Sequence, residues 1–411
     1  MKAKGLVAGL DLGTTKVSAV LLDPGDNGRR SQVVGLGTCP SEGIRRGVVV
    51  NLEQAVGVIR RAMEEAEKSA GVSVEEVYVG VAGDHVRSLN SRGVVAVARP
   101  DHEISRADVD RVIELARAVA IPLDREVLHA LPQDYCVDDQ HGIKDAVGMS
   151  GMRLEAQVHI VTASATSVQN VVRCLNRAGL HVADLVLQPL ASSLAVLDDD
   201  ELELGVGLVD VGGGTTDVAL FFGGSIRHSA VIGIGGTNVT SDIALGLRTP
   251  MQKAEELKLA HGCALAARVE QDYEIPVPGV GGRPPRMVSR RLLSAIVEPR
   301  VEEIFTMAQR EFQRSDHSDL LGAGVVVTGG TSLMDGTAEL AEQVFGHPVR
   351  VGAPIGVEGV TASVDDPRLA TGVGLALYGA HRRENGQNGH RNGGFASRTF
   401  RGLRRWAMDF F

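Results

Sequence analysis

The sequence predicts a mixed α/β protein built from two lobes, and three observations carry that expectation. One short pattern occurs twice, as Asp11-Leu12-Gly13-Thr14-Thr15-Lys16 and as Asp210-Val211-Gly212-Gly213-Gly214-Thr215-Thr216-Asp217, each copy at the end of an apolar run. A third glycine turn, Thr328-Gly329-Gly330-Thr331-Ser332, follows the apolar run from Val325. The chain has 411 residues, 44% of them hydrophobic and 50 of them glycine, enough to bury more than one core.

In each copy a strand-like run (Leu6 to Leu10; Val206 to Val209) delivers an Asp, glycine turns the backbone, and hydroxyls lead into a second strand (Val17 to Leu22; Val218 to Phe222). Such a tip aims backbone N–H groups and the hydroxyls of Thr14, Thr15, Thr215 and Thr216 at one spot, which suits phosphate oxygens. Asp11 and Asp210 are placed to hold Mg²⁺ through its waters, because Mg²⁺ dehydrates reluctantly and prefers carboxylate and phosphate oxygens. Lys16 can serve the phosphates as a point charge. A lone Asp-x-Gly-Thr is an ordinary β-turn; two copies with matching flanks describe a clamp for a nucleoside triphosphate. At the third turn, Gly329, Gly330 and Ser332 lie between a strand and an expected helix start, where backbone can approach an adenosine and its first phosphate.

The remaining elements follow in order. Val33 to Gly37 is a strand, Asn51 to Ser69 a helix and Val74 to Ala82 a strand. A βαββ insert comes next: Val94 to Val97, a helix Ser105 to Ala120 with Asp108 completing a capping box, then Glu126 to Ala130 and Ala156 to Val161. Ala165 to Ala178 is a helix and His181 to Leu187 a strand, and Pro189 opens a connecting helix. His159 and His181 lie in apolar strands and read as core or edge histidines. The expected division is a first lobe (1–83 and 165–200), its insert (84–164), a second-lobe core (201–238 and 319–380) and a second, helical insert (239–318) with a Pro/Gly-rich crossing at Pro276 to Pro285.

Past residue 380 the composition changes. Residues 381–394 are polar and glycine-rich and read as a flexible linker reaching on the order of 20 Å. Residues 395–411 turn aromatic and basic and include the only Trp. At helical spacing Phe400, Leu403, Trp406, Phe410 and Phe411 share one face, Arg401 and Arg405 lie opposite, and Arg404 sits at the border. A helix of this kind, too short to span, lies in the plane of a bilayer containing anionic lipid.

A net charge of −9 argues against a general nucleic-acid role. Cys39, Cys136, Cys174 and Cys263 are scattered without a Cys-x-x-Cys, so buried free thiols are expected rather than zinc or disulfides. Neither a signal sequence nor an apolar run of membrane-spanning length is read, which places the protein in the compartment of its synthesis.

The two tips and the Gly329-Gly330 turn, in this order, resemble the actin, Hsp70 and sugar-kinase superfamily. The resemblance extends from Asp11 to about Tyr378 and implies an actin-like two-lobed ATPase fold that binds ATP and Mg²⁺. Gln188, opening the connecting helix, matches a position near the attacking water, and Glu255 and Lys258 match positions contacting the ribose. Read from the residues alone, Glu255 and Lys258 are equally a solvated helix pair three apart.

An actin-like body with a tethered amphipathic tail is similar to the FtsA family of bacterial cell-division proteins. The stretch Pro278 to Arg286 and the helix Ile296 to Phe305 resemble that family's second-lobe insert, and 84–164 resembles its distinctive subdomain. The resemblance implies an ATP-binding, self-associating protein with at most weak ATPase activity, peripheral on the cytoplasmic face of the inner membrane at the septum. Its implied partners are the FtsZ C-terminal peptide, gripped at Arg300, and other division proteins. A small-molecule kinase or a pilus-assembly protein of the same superfamily is the alternative; no acceptor-site base is legible, and neither explains the tail.

Overall fold

Each copy of the repeated pattern folds as an antiparallel hairpin with the glycines at its tip. Val7–Leu12 pairs with Lys16–Asp23, and Val206–Val211 pairs with Thr216–Phe222. On its other side each Asp-bearing strand has a parallel neighbour, Glu76–Val81 in the first lobe and Val325–Thr328 in the second. Both strands are therefore interior and buried on both faces, and they read as continuous apolar runs rather than alternating ones.

The computed structural model describes residues 5–25, 30–315, 318–359 and 364–388. The first-lobe sheet has six strands in the order His181–Leu187, Glu76–Val81, Val7–Leu12, Lys16–Asp23, Ser31–Pro40, Val357–Gly359. The second has five: Ser225–Ile232, Thr216–Phe222, Val206–Val211, Val325–Thr328, Val349–Val351. Two helices, Gln188–Val196 and Ala370–Asn388, share one core with strands of both sheets, joining Val7, Val186 and Leu190 to Leu208, Val326 and Ala376. This arrangement is the actin-like fold.

The outer face of the first sheet is covered by helices Leu52–Ala70 and Ala165–Ala178. In the former, Ala55, Val58, Ile59, Ala62, Met63 and Ala66 recur at helical spacing and are buried. Asn51 caps it, its side chain accepting the Gln54 amide at 3.2 Å. The second sheet is backed by helices Gly236–Leu247 and Arg290–Gln313. The Pro/Gly-rich stretch forms a hairpin, Glu274–Val277 with Arg286–Ser289, rather than a plain crossing.

The first-lobe insert differs from the βαββ expectation. Its sheet has four strands, Arg87–Ala96, Arg153–Ser164, Arg125–Val137 and Gln140–Ile143 in spatial order, all antiparallel. The strand Gln140–Ile143 is short, polar and exposed except at Ile143, so it carries no alternating pattern. It is joined by a turn in which Asp138 adopts a left-handed conformation and accepts the amides of Met152 and Arg153. Helix Arg106–Arg117 starts at Ser105 as expected, with the Asp108 carboxylate accepting the Ser105 amide at 3.0 Å. The insert has its own core around Ile104, Val112, Leu154, Val158 and Ile160.

The insert docks on the second lobe through a polar seam along the edge strand Ser225–Ile232. Asn90 donates to the Arg227 carbonyl at 3.2 Å, Gln133 to the Ile226 carbonyl at 2.8 Å, and Ser88 to the Ser229 carbonyl at 2.7 Å. Arg227 pairs with Asp134 at 2.6 Å. His159 is a buried histidine, as its apolar strand led one to expect, and both its ring nitrogens are bonded within the seam. Its Nδ1 meets Asn90 Oδ1 at 2.7 Å and its Nε2 meets Ser229 Oγ at 2.8 Å, so a neutral ring donates to the amide oxygen and accepts from the hydroxyl. His181 is exposed at the start of its strand.

The last described helix, Ala370–Asn388, corrects the linker boundary, because residues 381–388 continue it. Arg382 reaches Asp184 at 3.1 Å and Arg383 reaches Glu76 at 3.0 Å, partners distant in sequence that give polar residues a reason to stay helical. Residues 389–394 and the amphipathic segment 395–411 lie outside the described residues.

Burial pushes His159 down to about 3, with the neighbouring His228 and His129 acting in the same direction. A histidine whose folded pKa is depressed loses stabilising effect as pH falls below its ordinary value near 6.5, because only the unfolded chain takes up the proton. Between pH 7 and pH 5 the wild-type chain should lose about 2 kcal/mol more stability than a His159→Gln variant. Urea unfolding curves of both proteins at the two pH values check this.

Candidate functional site

The connecting helix Gln188–Val196 places two donors on one face, one turn apart, and each serves a different lobe. Gln188 Nε2 donates to Asp11 Oδ1 at 3.0 Å, and Ser192 Oγ donates to Asp210 Oδ2 at 2.7 Å. Thr371, at the start of the closing helix, donates to the same Asp210 oxygen at 3.1 Å. Both carboxylates are buried where the lobes meet. Ser192 and Thr371 were not legible as site residues, although the spacing of Ser192 from Gln188 is a usable signal.

The two tips touch. A Cβ built on Gly213 would lie 2.4 Å from Thr15 Cγ2, and one built on Gly214 would lie 2.4 Å from Thr14 Oγ1. Gly13 and Gly212 sit in the turns behind them. The Thr215 hydroxyl faces Asp217, while the Thr216 hydroxyl is spent on the Ile234 carbonyl at 2.9 Å and turns away from the cleft. Lys16 Nζ donates to the Arg368 carbonyl and lies in the field of Asp11 and Asp210.

Burial raises Asp11 to about 6, with Lys16 opposing the rise and Asp210 adding to it. Asp210 is raised by burial and partly restored by its two hydroxyl donors. Asp217 is raised well above its ordinary value by burial, then by Asp210 and Asp11. Asp217 closes the second pattern and was assigned no role from the sequence; it is the third carboxylate of the cluster, and its Oδ1 is buried without a hydrogen-bond partner among the described residues. Three buried carboxylates beside one ammonium leave a cluster that a divalent cation would neutralise. Among the described residues no three ligating side chains are arranged to hold an ion directly, so a cation here would depend on water and phosphate oxygens.

Glu255 and Lys258 form a pair at 2.7 Å on helix Met251–His261. Lys258 also donates to the Gly236 carbonyl at 3.1 Å and to Thr240 at 2.9 Å, and Gly236 is itself bonded to Gly212 of the second tip. The pair therefore abuts the cleft and is not a freely solvated one.

The third turn departs from the expected strand-to-helix step. Gly330–Leu333 is a short 3₁₀ turn closed by Ser332 Oγ donating to the Gly329 carbonyl at 2.7 Å, and the helix proper begins later, at Thr337–Phe345. Gly329 has φ +85°, and a Cβ there would stand 2.3 Å from Asp210 Oδ1. The turn is thus held against the second Asp, not against a helix N-terminus. Arg300 lies on the long helix Arg290–Gln313 just after Pro299, half-buried, and donates to Asp242 at 2.6 Å and to Glu303. Phe400, Leu403, Trp406, Phe410, Phe411, Arg401, Arg404 and Arg405 fall outside the described residues.

Gly329→Ala combines a left-handed backbone with a collision against a buried carboxylate. It should cost about 2–4 kcal/mol of stability, read as a lowered thermal midpoint.

Comparison with known proteins agrees with this architecture. A family model described as cell division protein FtsA matches residues 207–374, and one described as the SHS2 domain inserted in FtsA matches residues 83–162. Cell division protein FtsA of Pseudomonas aeruginosa is 51% identical over 383 residues, covering 93% of this chain and 91% of the relative. The Neisseria meningitidis protein is 44% identical over 408 residues, 98% of each chain, and that of Escherichia coli K12 is 40% identical over 389 residues, 93% and 92%. Among solved structures, a PilM-PilN type IV pilus biogenesis complex matches with TM-score 0.65 at 17% identity, over 91% of this chain and 98% of that one. MreB 5 of Spiroplasma citri bound to AMPPNP matches with TM-score 0.59 at 14% identity, over 94% and 99%. Likenesses at such identities show the fold alone. The identities to the full-length relatives go further: this chain belongs to the FtsA family of cell division proteins.

Proposed function

We propose that this chain binds ATP with Mg²⁺ between its two tips, self-associates, and tethers FtsZ filaments to the cytoplasmic face of the inner membrane at the division septum. The observation that carries the nucleotide reading is that Asp11 and Asp210 meet on one helix face presenting Gln188 and Ser192, with Lys16 in the field of both carboxylates and the two glycine tips in contact with each other. Lys16 and the tip amides would hold phosphate oxygens, and Asp11 and Asp210 would hold the waters of Mg²⁺. Mg²⁺-ATP, when bound, supplies negative phosphate and divalent charge that both lobes share. Glu255 and Lys258 would face the ribose, and Gly329, Gly330 and Ser332 the adenosine. Gln188 is within reach to orient a water, which fits at most a weak ATPase.

The tail pattern at Phe400, Leu403, Trp406, Phe410 and Phe411 with Arg401, Arg404 and Arg405 supports the membrane role. One such segment binds a bilayer marginally, as a single lipid chain does, and many in one filament bind by avidity. Arg300 would grip the acidic FtsZ peptide by exchanging Asp242 and Glu303 for the peptide's carboxylates. The first-lobe insert would receive other division proteins.

Labelled FtsZ filaments should be recruited to a supported anionic bilayer by the full chain with ATP, and not by a chain ending at Gly394 or by a Trp406→Glu variant that keeps ATP affinity. Equal recruitment by the three proteins, seen by fluorescence microscopy, would refute the tail's role. Asp210→Ala should weaken Mg²⁺-ATP binding at least about tenfold by titration calorimetry. Wild-type affinity in that variant would remove Asp210 from the site.

A further inference from the structure

The polar seam between the insert and strand Ser225–Ile232 stands one ladder away from the second tip. That strand pairs with Thr216–Phe222 in a register that sets Ile232 opposite Thr216. Its free edge is the one that Ser88, Asn90, Gln133 and His159 address, and just beyond it a Cβ on Gly233 would lie 3.6 Å from the Cβ of Asp84, where the insert departs. The insert itself is an outgrowth of the first lobe, leaving after Glu76–Val81 and returning through Arg153–Ser164 into helix Ala165–Ala178. It is covalently part of one lobe and hydrogen-bonded to the other.

A second route leads from the first tip to the insert. The small hairpin Ile44–Arg45 with Val48–Val49 is fastened at its base by the Ser41 amide donating to the Thr15 carbonyl at 3.0 Å. At its far end Gly47 lies against the Ala82 carbonyl, where the insert begins, a Cβ there falling 2.5 Å away. Arg46, in the turn, is held at φ 48°, a conformation that costs a non-glycine residue energy and persists only where the surroundings impose it. A displacement of Thr15 therefore reaches the root of the insert through one stiff turn.

The tips are in contact, so a group seated between them has to part them, and parting them moves the second-lobe edge strand against the insert. Building on the nucleotide reading above, we propose that the seam is a latch opposed to the nucleotide: seating ATP between the tips shears the insert from strand Ser225–Ile232, and docking of the insert weakens ATP binding. The materials of the seam suit a reversible contact. Its partners are side-chain amides, hydroxyls, a neutral imidazole and one ion pair, and a neutral hydrogen bond is worth about a factor of five in an equilibrium. The insert survives release because it has a core of its own. Linkage then makes the effect reciprocal: whatever loosens the seam tightens ATP, by the same factor that ATP loosens the seam.

The test uses the full chain, dilute enough to remain monomeric. An Asn90→Ala/Gln133→Ala variant should bind ATP at least about fivefold more tightly than wild type. In the wild-type chain, ATP should speed amide hydrogen exchange in Arg87–Ala96 and Ser225–Ile232 while leaving helix Arg106–Arg117 of the insert unchanged. An unchanged or weaker ATP affinity in a folded variant overturns the latch. If the variant does not fold, exchange in the wild type decides alone, and ATP-bound strands that exchange at the same rate or more slowly overturn it. A wild-type chain that binds no ATP overturns the nucleotide reading first, and the latch with it.

Discussion

Two carboxylates buried at the meeting of two lobes impose the constraint on which the rest of this structure depends. A buried carboxylate must be hydrogen-bonded or protonated, and here one helix face answers both demands, Gln188 for Asp11 and Ser192 for Asp210. The closing helix adds Thr371 to Asp210, and the glycine turn at Gly329 lies close enough that any side chain there would strike the same carboxylate. Four segments distant in sequence are thereby fixed around one atom group. The shared apolar core beneath them supplies burial without direction, while the donors set the relative register of the lobes.

The lobes and their tips were legible because duplication is a signal that local propensity cannot mimic, and because interior strands leave unbroken apolar runs. Pro189 marked the start of the connecting helix, while Gln188 was singled out only by the superfamily resemblance. Other features were hidden for physical reasons. Asp217 was only the last residue of the second tip pattern, and its place in the cluster comes from two carboxylates brought near it by folding. Strand Gln140–Ile143 has too little apolar content to show a period. The helix expected at Gly330 was displaced because the turn closes on itself through Ser332. Asn90 and Gln133 carry no sequence signal of their own, and His159 read as a core or edge histidine; only the approach of the second lobe makes them a seam.

The insert illustrates how a subdomain is attached without being fused. One face of its sheet, carrying Asn90, His159 and Gln133 on three adjacent strands, meets the edge strand Ser225–Ile232 of the second-lobe sheet, and the bonds from Ser88, Asn90 and Gln133 run from side chains to carbonyls rather than from backbone to backbone. A strand added to that edge by a full ladder would extend the second-lobe sheet into the insert and lock the two together. Side-chain amides and hydroxyls satisfy the exposed carbonyls at a fraction of that commitment. Arg227 anchors the seam, buried beside Asp134 and stacked near the Phe222 ring at 6.0 Å, where a lone guanidinium would be costly.

The closing helix has a mechanical meaning as well. Tyr378 and Arg382 both reach Asp184, and Arg383 holds Glu76 and the Leu6 carbonyl, so the helix is stitched to strands of the first-lobe sheet near its last described turns. Tension that reaches residue 388 would pass along the helix axis into those strands. A subunit pulled from that end would be hauled by its first-lobe sheet, and the pull would arrive beside the same connecting helix that carries Gln188 and Ser192.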